Sequence, residues 1–186
     1  MSGNKSIAGL GVIALTFACE LSLAQATKGA GDHIHWMSFE EAVKQNEKQP
    51  KKIFIDVYTN WCGWCKKMDA TTFKDSAVVA YMNEHYYAVK LNAETKDTIR
   101  FRGHEFYYNP EARTNELAYS MMKGATRMSY PTAIYLDSSF AILSPVPGYV
   151  TAEEIMRILR YFGENIYLTK KWDEYLRELN VGAPGK

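Results

Sequence analysis

Cysteine is scarce in this chain, with three residues among 186, too few for the dense bridges that staple small secreted scaffolds. Neither sign of charge is in excess, since 22 Lys and Arg face 21 Asp and Glu for a net +1. Nucleic acid is therefore not an expected partner. Lys44, Lys48, Lys51 and Lys52 read as a solvated helix end and loop. Internal repeats, low-complexity tracts and a second domain boundary are all missing, which excludes solenoids and arrays. The most apolar run, Ile7 to Cys19, falls short of the about 20 residues a bilayer crossing needs. No membrane span is expected in the mature chain.

That N-terminal run has a different reading. Lys5 precedes it and Ala24-Gln25-Ala26 follows it, the order of positive, apolar and small-residue regions found in secretory signal peptides. Residues 1–26 are expected to be removed after Ala26, leaving one domain, residues 27–186, in a periplasmic or otherwise extracytoplasmic space. Glu20 just past the apolar run is unusual for such a segment. Cys19 raises the rival idea of lipid anchoring, which Thr16 and Phe17 before Ala18-Cys19 disfavour as poor lipobox residues. Cleavage would leave Cys62 and Cys65 as the remaining cysteines.

Those two stand in Trp61-Cys62-Gly63-Trp64-Cys65-Lys66, directly after the strand pattern Ile53-Phe54-Ile55-Asp56-Val57-Tyr58 and at the start of a helical pattern. Thiols three apart at such a turn can close into a disulfide and reopen. At the first turn of a helix, unpaired N–H groups and the positive end of the dipole favour the Cys62 thiolate. Cys62 is then the nucleophile, and Cys65, one turn further in, resolves the mixed disulfide. A structural bridge is the weaker alternative because so short a loop removes little unfolded-state entropy. A zinc site needs two further ligands, which only His33, His35, His85 or His104 could supply.

Around this motif the elements fall into an α/β order. Ser38 with Glu41 forms a capping-box signature ahead of a helix that Pro50 ends. The CxxC helix is predicted to run to about Phe73, Asp75-Ser76 to cap the next, and Tyr87 to Asn92 to form a strand. Strand, helix and parallel strand make a βαβ unit with the CxxC at the carboxyl end of its first strand, where α/β sheets bind ligands. Further along, a hairpin is predicted around Arg102-Gly103, a helix from Glu116 to Met122 closed by Gly124, a buried strand Thr132 to Leu136, and an antiparallel partner Phe140 to Leu143. Thr151 with Glu154 starts a helix through Phe162, and a last helix is expected from about Tyr167 to Leu179. Trp36, Tyr81, Phe140 and Trp172 read as core, His85 and His104 as surface or satisfied histidines.

With these elements placed, the chain resembles the thioredoxin superfamily over roughly residues 53–162. The Trp-Cys-Gly-x-Cys-Lys signature carries the resemblance, with Trp64 where the commonest thioredoxins have proline. The resemblance implies a central mixed sheet flanked by helices, with an insertion at about 94–125 and an added helical extension at about 164–180. It also implies a buried acid six positions before the first cysteine, where Asp56 stands, a lysine partner at Lys90, and a cis-proline facing the dithiol at Pro131. Asp56 interrupts an apolar strand, so desolvation should raise its pKa and suit it to accept the Cys65 proton; a purely structural ion pair with Lys90 is the alternative. Pro131 lacks an N–H, which leaves the Tyr130 backbone free to pair with an extended substrate. Trp61, Gly63 and Trp64 form the docking rim.

The expected function is an exported thiol–disulfide oxidoreductase acting on protein thiols and disulfides. Trp64 in place of proline leaves both directions of electron flow open; the resemblance implies reduction, with no cofactor beyond the Cys62–Cys65 disulfide and a membrane electron donor to recharge it. The alternative is a binding module or metallochaperone with Cys62 and Cys65 as soft ligands for Cu(I) or zinc, assisted by Met121, Met122 and Met128. At helical spacing these methionines are otherwise core residues.

Overall fold

Residues 31–181 are described by the computed structural model; the signal-peptide segment, Cys19 and the Ala26 cleavage point lie outside them. The chain opens with a two-residue strand, Trp36–Met37 (β1), and helix α1, Phe39–Lys48. Strand β2, Lys52–Tyr58, then leads into α2, Gly63–Ala70. Helix α3, Ser76–His85, returns to β3, Tyr86–Asn92. Two small hairpins follow, pairing Ile99–Phe101 (β4) with His104–Phe106 (β5) and Tyr108–Asn109 (β6) with Thr114–Asn115 (β7). After α4, Glu116–Met122, come β8, Thr132–Leu136, and β9, Ile142–Pro147. Helices α5, Ala152–Gly163, and α6, Trp172–Val181, complete the order.

The main sheet runs β1-β3-β2-β8-β9, with β2 parallel to β3 and antiparallel to β8. It is mixed and flanked by helices, as the resemblance implies. β2 and β3 are buried on both faces, which explains their near-continuous apolar sequence. Alternation splits the β2 side chains. Phe54 joins Met68, Met82, Leu159 and Phe162 on the face of α3 and α5, whereas Ile53, Ile55 and Val57 meet Phe39, Leu117 and Met122 under α1 and α4.

Local chemistry sets most boundaries. Ser38 and Thr151 each form a complete capping box, with Glu41 and Glu154, and Asp75 caps α3 through the Ala77 and Val78 amides. Four boundaries depart from expectation. α2 stops at Ala70, and Phe73 belongs to a separate 3₁₀ turn whose hydrogen bonds restart at Thr71. α4 ends through Lys123 in right-handed geometry, and Gly124 is not among the positive-φ glycines. Phe140 takes a φ of 68°, so β9 starts only at Ile142, after a turn in which Asp137 accepts from the Ser139 and Ala141 amides. Tyr167 lies in a 3₁₀ turn, and α6 begins at Trp172.

Strand β1 was not legible at all. It consists of two half-buried residues, long enough for pairing with Ala88 and Val89 but too short for any period.

Candidate functional site

β2 runs straight into the CxxC. Its last residues are followed by Thr59, whose carbonyl accepts from the Cys62 amide at 3.1 Å, and Cys62 stands as N-cap of α2 in extended geometry. The Cys65 amide donates to the Cys62 Sγ at 3.0 Å. A sulfur so placed gains from an orphan amide and from the positive helix end, both of which favour its anionic form. Cys62 and Cys65 are joined in a disulfide with Cα atoms 5.3 Å apart. Both are buried, 4% and 2% exposed, so exposure hardly separates them. The cap position does. A Cβ added at Gly63 would meet nothing within 4 Å, so glycine here relieves no clash.

Beneath the motif lies a charge cluster built on a buried carboxylate. Asp56 is 1% exposed, faces Lys90 in the β2–β3 register, and accepts from the Lys90 Nζ at 2.6 Å. Alternation places both on the Phe54 side, under α2. The same ammonium reaches the Asp69 carboxylate of α2 and lies against the rings of Trp36, Tyr58 and Phe73 at 4.8, 5.2 and 5.2 Å. Burial pushes the Asp56 carboxyl above its ordinary range; the Lys90 charge and hydrogen bond oppose this, and the Asp69 charge adds to it. Burial lowers the Lys90 pKa, but the two carboxylates outweigh it and the net shift is upward. The second Asp56 oxygen, Oδ1, is buried and has no partner among the described residues.

Above the motif is an aromatic rim. Trp61 and Trp64 are 66% and 56% exposed, unusual for tryptophan. Trp61 donates its indole N–H to both Glu94 oxygens, at 3.0 and 3.1 Å, and meets the Tyr130 ring edge-on at 5.9 Å. Trp64 stacks obliquely on Tyr149 at 5.4 Å, and the Lys67 ammonium lies 4.9 Å from Trp64 and 5.5 Å from Tyr149. The Tyr130–Pro131 bond is cis. Because Thr132 pairs with Val57, Pro131 sits at the end of β2 that leads to the cysteines.

Asp56, Lys90, Cys62, Cys65, Trp61, Gly63, Trp64, Tyr130 and Pro131 thus gather at one end of the sheet. Three further members escaped sequence reasoning. Asp69 lies four residues after Cys65 and shares its helix face, a usable signal in hindsight. Glu94 and Tyr149 come from loops after β3 and β9, and nothing local marks them. Met121 and Met122 are core residues under the sheet, so packing absorbs them, whereas Met128 is exposed. His104 and His33 are surface residues. Among the described residues, no group of three or more His, Cys, Asp or Glu could hold a metal ion.

A family model labelled Thioredox_DsbH and described as "Protein of unknown function, DUF255" matches residues 22–109. The thiol:disulfide interchange protein DsbD of Pseudoalteromonas atlantica is 33% identical over 67 residues, covering 36% of this chain and 11% of that protein. DsbD of Actinobacillus pleuropneumoniae is 29% identical over 118 residues, 62% of this chain and 17% of the relative. The chain therefore spans under a fifth of these relatives' length. A solved thioredoxin-fold protein from Helicobacter pylori superposes with a TM-score of 0.53 at 16% identity, over 83% of this chain and 91% of that one, a likeness of fold.

Proposed function

We propose that this chain is a thiol–disulfide oxidoreductase of the thioredoxin superfamily that reduces protein disulfides outside the cytoplasm. The observation that carries this reading is the Cys62 Sγ at the start of α2 with the Cys65 amide on it. In the reduced protein the Cys62 thiolate attacks one sulfur of a substrate disulfide, and the other leaves as a thiolate. Asp56 takes the proton of the Cys65 thiol. The Cys65 sulfur then attacks Cys62, releasing the second substrate thiolate and closing the Cys62–Cys65 disulfide. Two electrons pass to the substrate, and Asp56 returns its proton to solvent. Lys90 holds the Asp56 carboxylate, while Trp61, Gly63, Trp64 and the Tyr130–Pro131 loop receive the substrate chain. The names of the two DsbD relatives support thiol–disulfide chemistry.

On this reading residues 27–186 form the domain, 94–125 an insertion and 164–180 an added extension. A membrane-bound dithiol would return electrons to the oxidised pair. Export rests on the pattern from Lys5 to Ala26, and the mass of the secreted chain tests it. The chemical test is trapping. Cys62→Ser should abolish reduction of a protein disulfide, and Cys65→Ser should accumulate mixed disulfides through Cys62, resolved by non-reducing electrophoresis and mass spectrometry. Trapping by the Cys62→Ser variant instead would reverse the roles.

A further inference from the structure

Tyr149 belongs to two surfaces. One side of its ring meets Trp64 at the dithiol rim. Another lines a depression of about 300 Å³ between β9, α5 and α6, with Val146, Ile158, Trp172 and Leu176. Val146, Ile158 and Trp172 also line a neighbouring cavity of about 530 Å³ with Leu143, Tyr161 and Tyr167. The two share walls, so an apolar groove runs from the dithiol rim along the outer face of α5.

Hydrogen-bond accounting defines what the groove accepts. Several of its polar side chains are already engaged within the chain. The Tyr161 hydroxyl donates to the Lys170 carbonyl at 2.7 Å. Glu154 accepts from the Thr151 amide and hydroxyl at 2.9 and 2.7 Å, Arg157 pairs with Glu153, and Tyr149 shares a hydrogen bond with Thr71 at 3.1 Å. Between them lies half-buried apolar surface on Val146, Ile158, Trp172 and Leu176. β9 is the edge strand here, but Pro145 and Pro147 withhold N–H donors from it. A partner is therefore held by side chains and not by an added β-ladder.

We propose that this groove is a second docking surface for the substrate polypeptide, taking an apolar, extended segment of the chain whose cysteine sits on Cys62. The proposal rests on the oxidoreductase reading, because a mixed disulfide at Cys62 places a substrate chain beside Trp64, and Tyr149 carries the apolar surface on from there. The extra helix α6, held against α5 by Tyr161, Trp172 and Tyr175, supplies one wall. It thereby turns an otherwise general dithiol toward unfolded or exposed apolar segments.

The test compares three disulfides on the reduced full chain: oxidised glutathione, a disulfide-bonded peptide with a Gly-Ser extension, and the same peptide with a Leu-Phe-Val extension. Seating one large apolar side chain should raise kcat/KM for the last about tenfold over the Gly-Ser peptide. Leu176→Glu, checked for unchanged near-UV circular dichroism, should remove that advantage and leave the glutathione rate unchanged. If Leu176→Glu does not fold, Ile158→Gln replaces it. Equal rates for the two peptides in the wild type, or an equal loss for all three disulfides in the variant, would overturn the proposal. If the wild type exchanges with none of them, the oxidoreductase reading fails. A cysteine-free Leu-Phe-Val peptide then decides the groove separately: methyl NMR shifts at Val146, Ile158 and Leu176 support it, and their absence overturns it. A wild-type dimer in sedimentation that Leu176→Glu dissociates would also overturn it, marking the groove as an interface between copies.

Discussion

Asp56 shows how one residue couples stability to chemistry. Burial raises its carboxyl pKa, so the folded chain holds this proton to higher pH than the unfolded chain does. A group shifted in this sense contributes stability that is full below the unfolded value of about 3.9 and lost as pH rises through the folded one. Asp56→Asn cannot ionise, so its melting temperature should exceed that of the wild type at neutral pH and converge with it in acid. The same variant should slow disulfide exchange at neutral pH by about a hundredfold, the low end of what a positioned base supplies, and flatten the pH–rate profile. A stable variant with an unchanged profile would leave Asp56 as an ion-pair partner only. Asp69 extends the prediction. Its charge helps hold the Asp56 pKa up, so Asp69→Asn should move the profile toward acid, and should have no such effect once Asp56 is already Asn.

At the scale of elements, α2 depends on an unusual cap. The Cys62 sulfur accepts from the Cys65 amide where other helices of this chain use Ser38, Asp75, Asn115 or Thr151 oxygens. A serine hydroxyl at position 62 can keep that bond, but a methyl group cannot. Cys62→Ala should therefore be less stable than Cys62→Ser by about 0.5–2 kcal/mol, measured by urea denaturation with Cys65 reduced in both. Equal midpoints would show that a hydrogen-bond acceptor at position 62 contributes nothing as a cap. The rim follows the same logic of elements lending residues. Trp61 is fixed by Glu94 after β3 and Trp64 by Tyr149 after β9, so the loop ends of three strands shape one surface.

For the whole molecule, the redox state and the fold are linked. A dithiol that reduces its partners has an oxidised form favoured in the folded chain relative to an unfolded reference pair. By linkage, oxidation then stabilises the fold. The Cys62–Cys65 disulfide spans too short a loop for chain entropy to account for much of this; the buried Asp56 charge, which disfavours a second anion nearby, points the same way. The oxidised protein should melt at a higher temperature than the reduced one. The reverse order in calorimetry would mark the dithiol as an oxidant and reverse the proposed direction.

Much of this was written in the local sequence because its causes are local. The capping boxes at Ser38 and Thr151, the apolar runs of β2 and β8, and the CxxC at a strand-to-helix turn each depend on residues a few positions apart. Those causes determined the order of the main helices and strands, though not β1 or the β6–β7 hairpin, and with the thioredoxin-like signature they pointed to Asp56, Lys90 and Pro131. Helix and strand ends were less legible where two turn solutions compete, as at Ala70, Gly124 and Phe140. Tertiary structure alone decided what long-range packing controls. Asp69 meets Lys90 only because α2 lies over the β2–β3 register, and Glu94 meets Trp61 because β3 ends beside the CxxC. The groove of Val146, Ile158, Trp172 and Leu176 exists because α6 folds back on α5. None of these contacts has a sequence period, since each joins residues whose separation the chain's path, and not its local chemistry, closes.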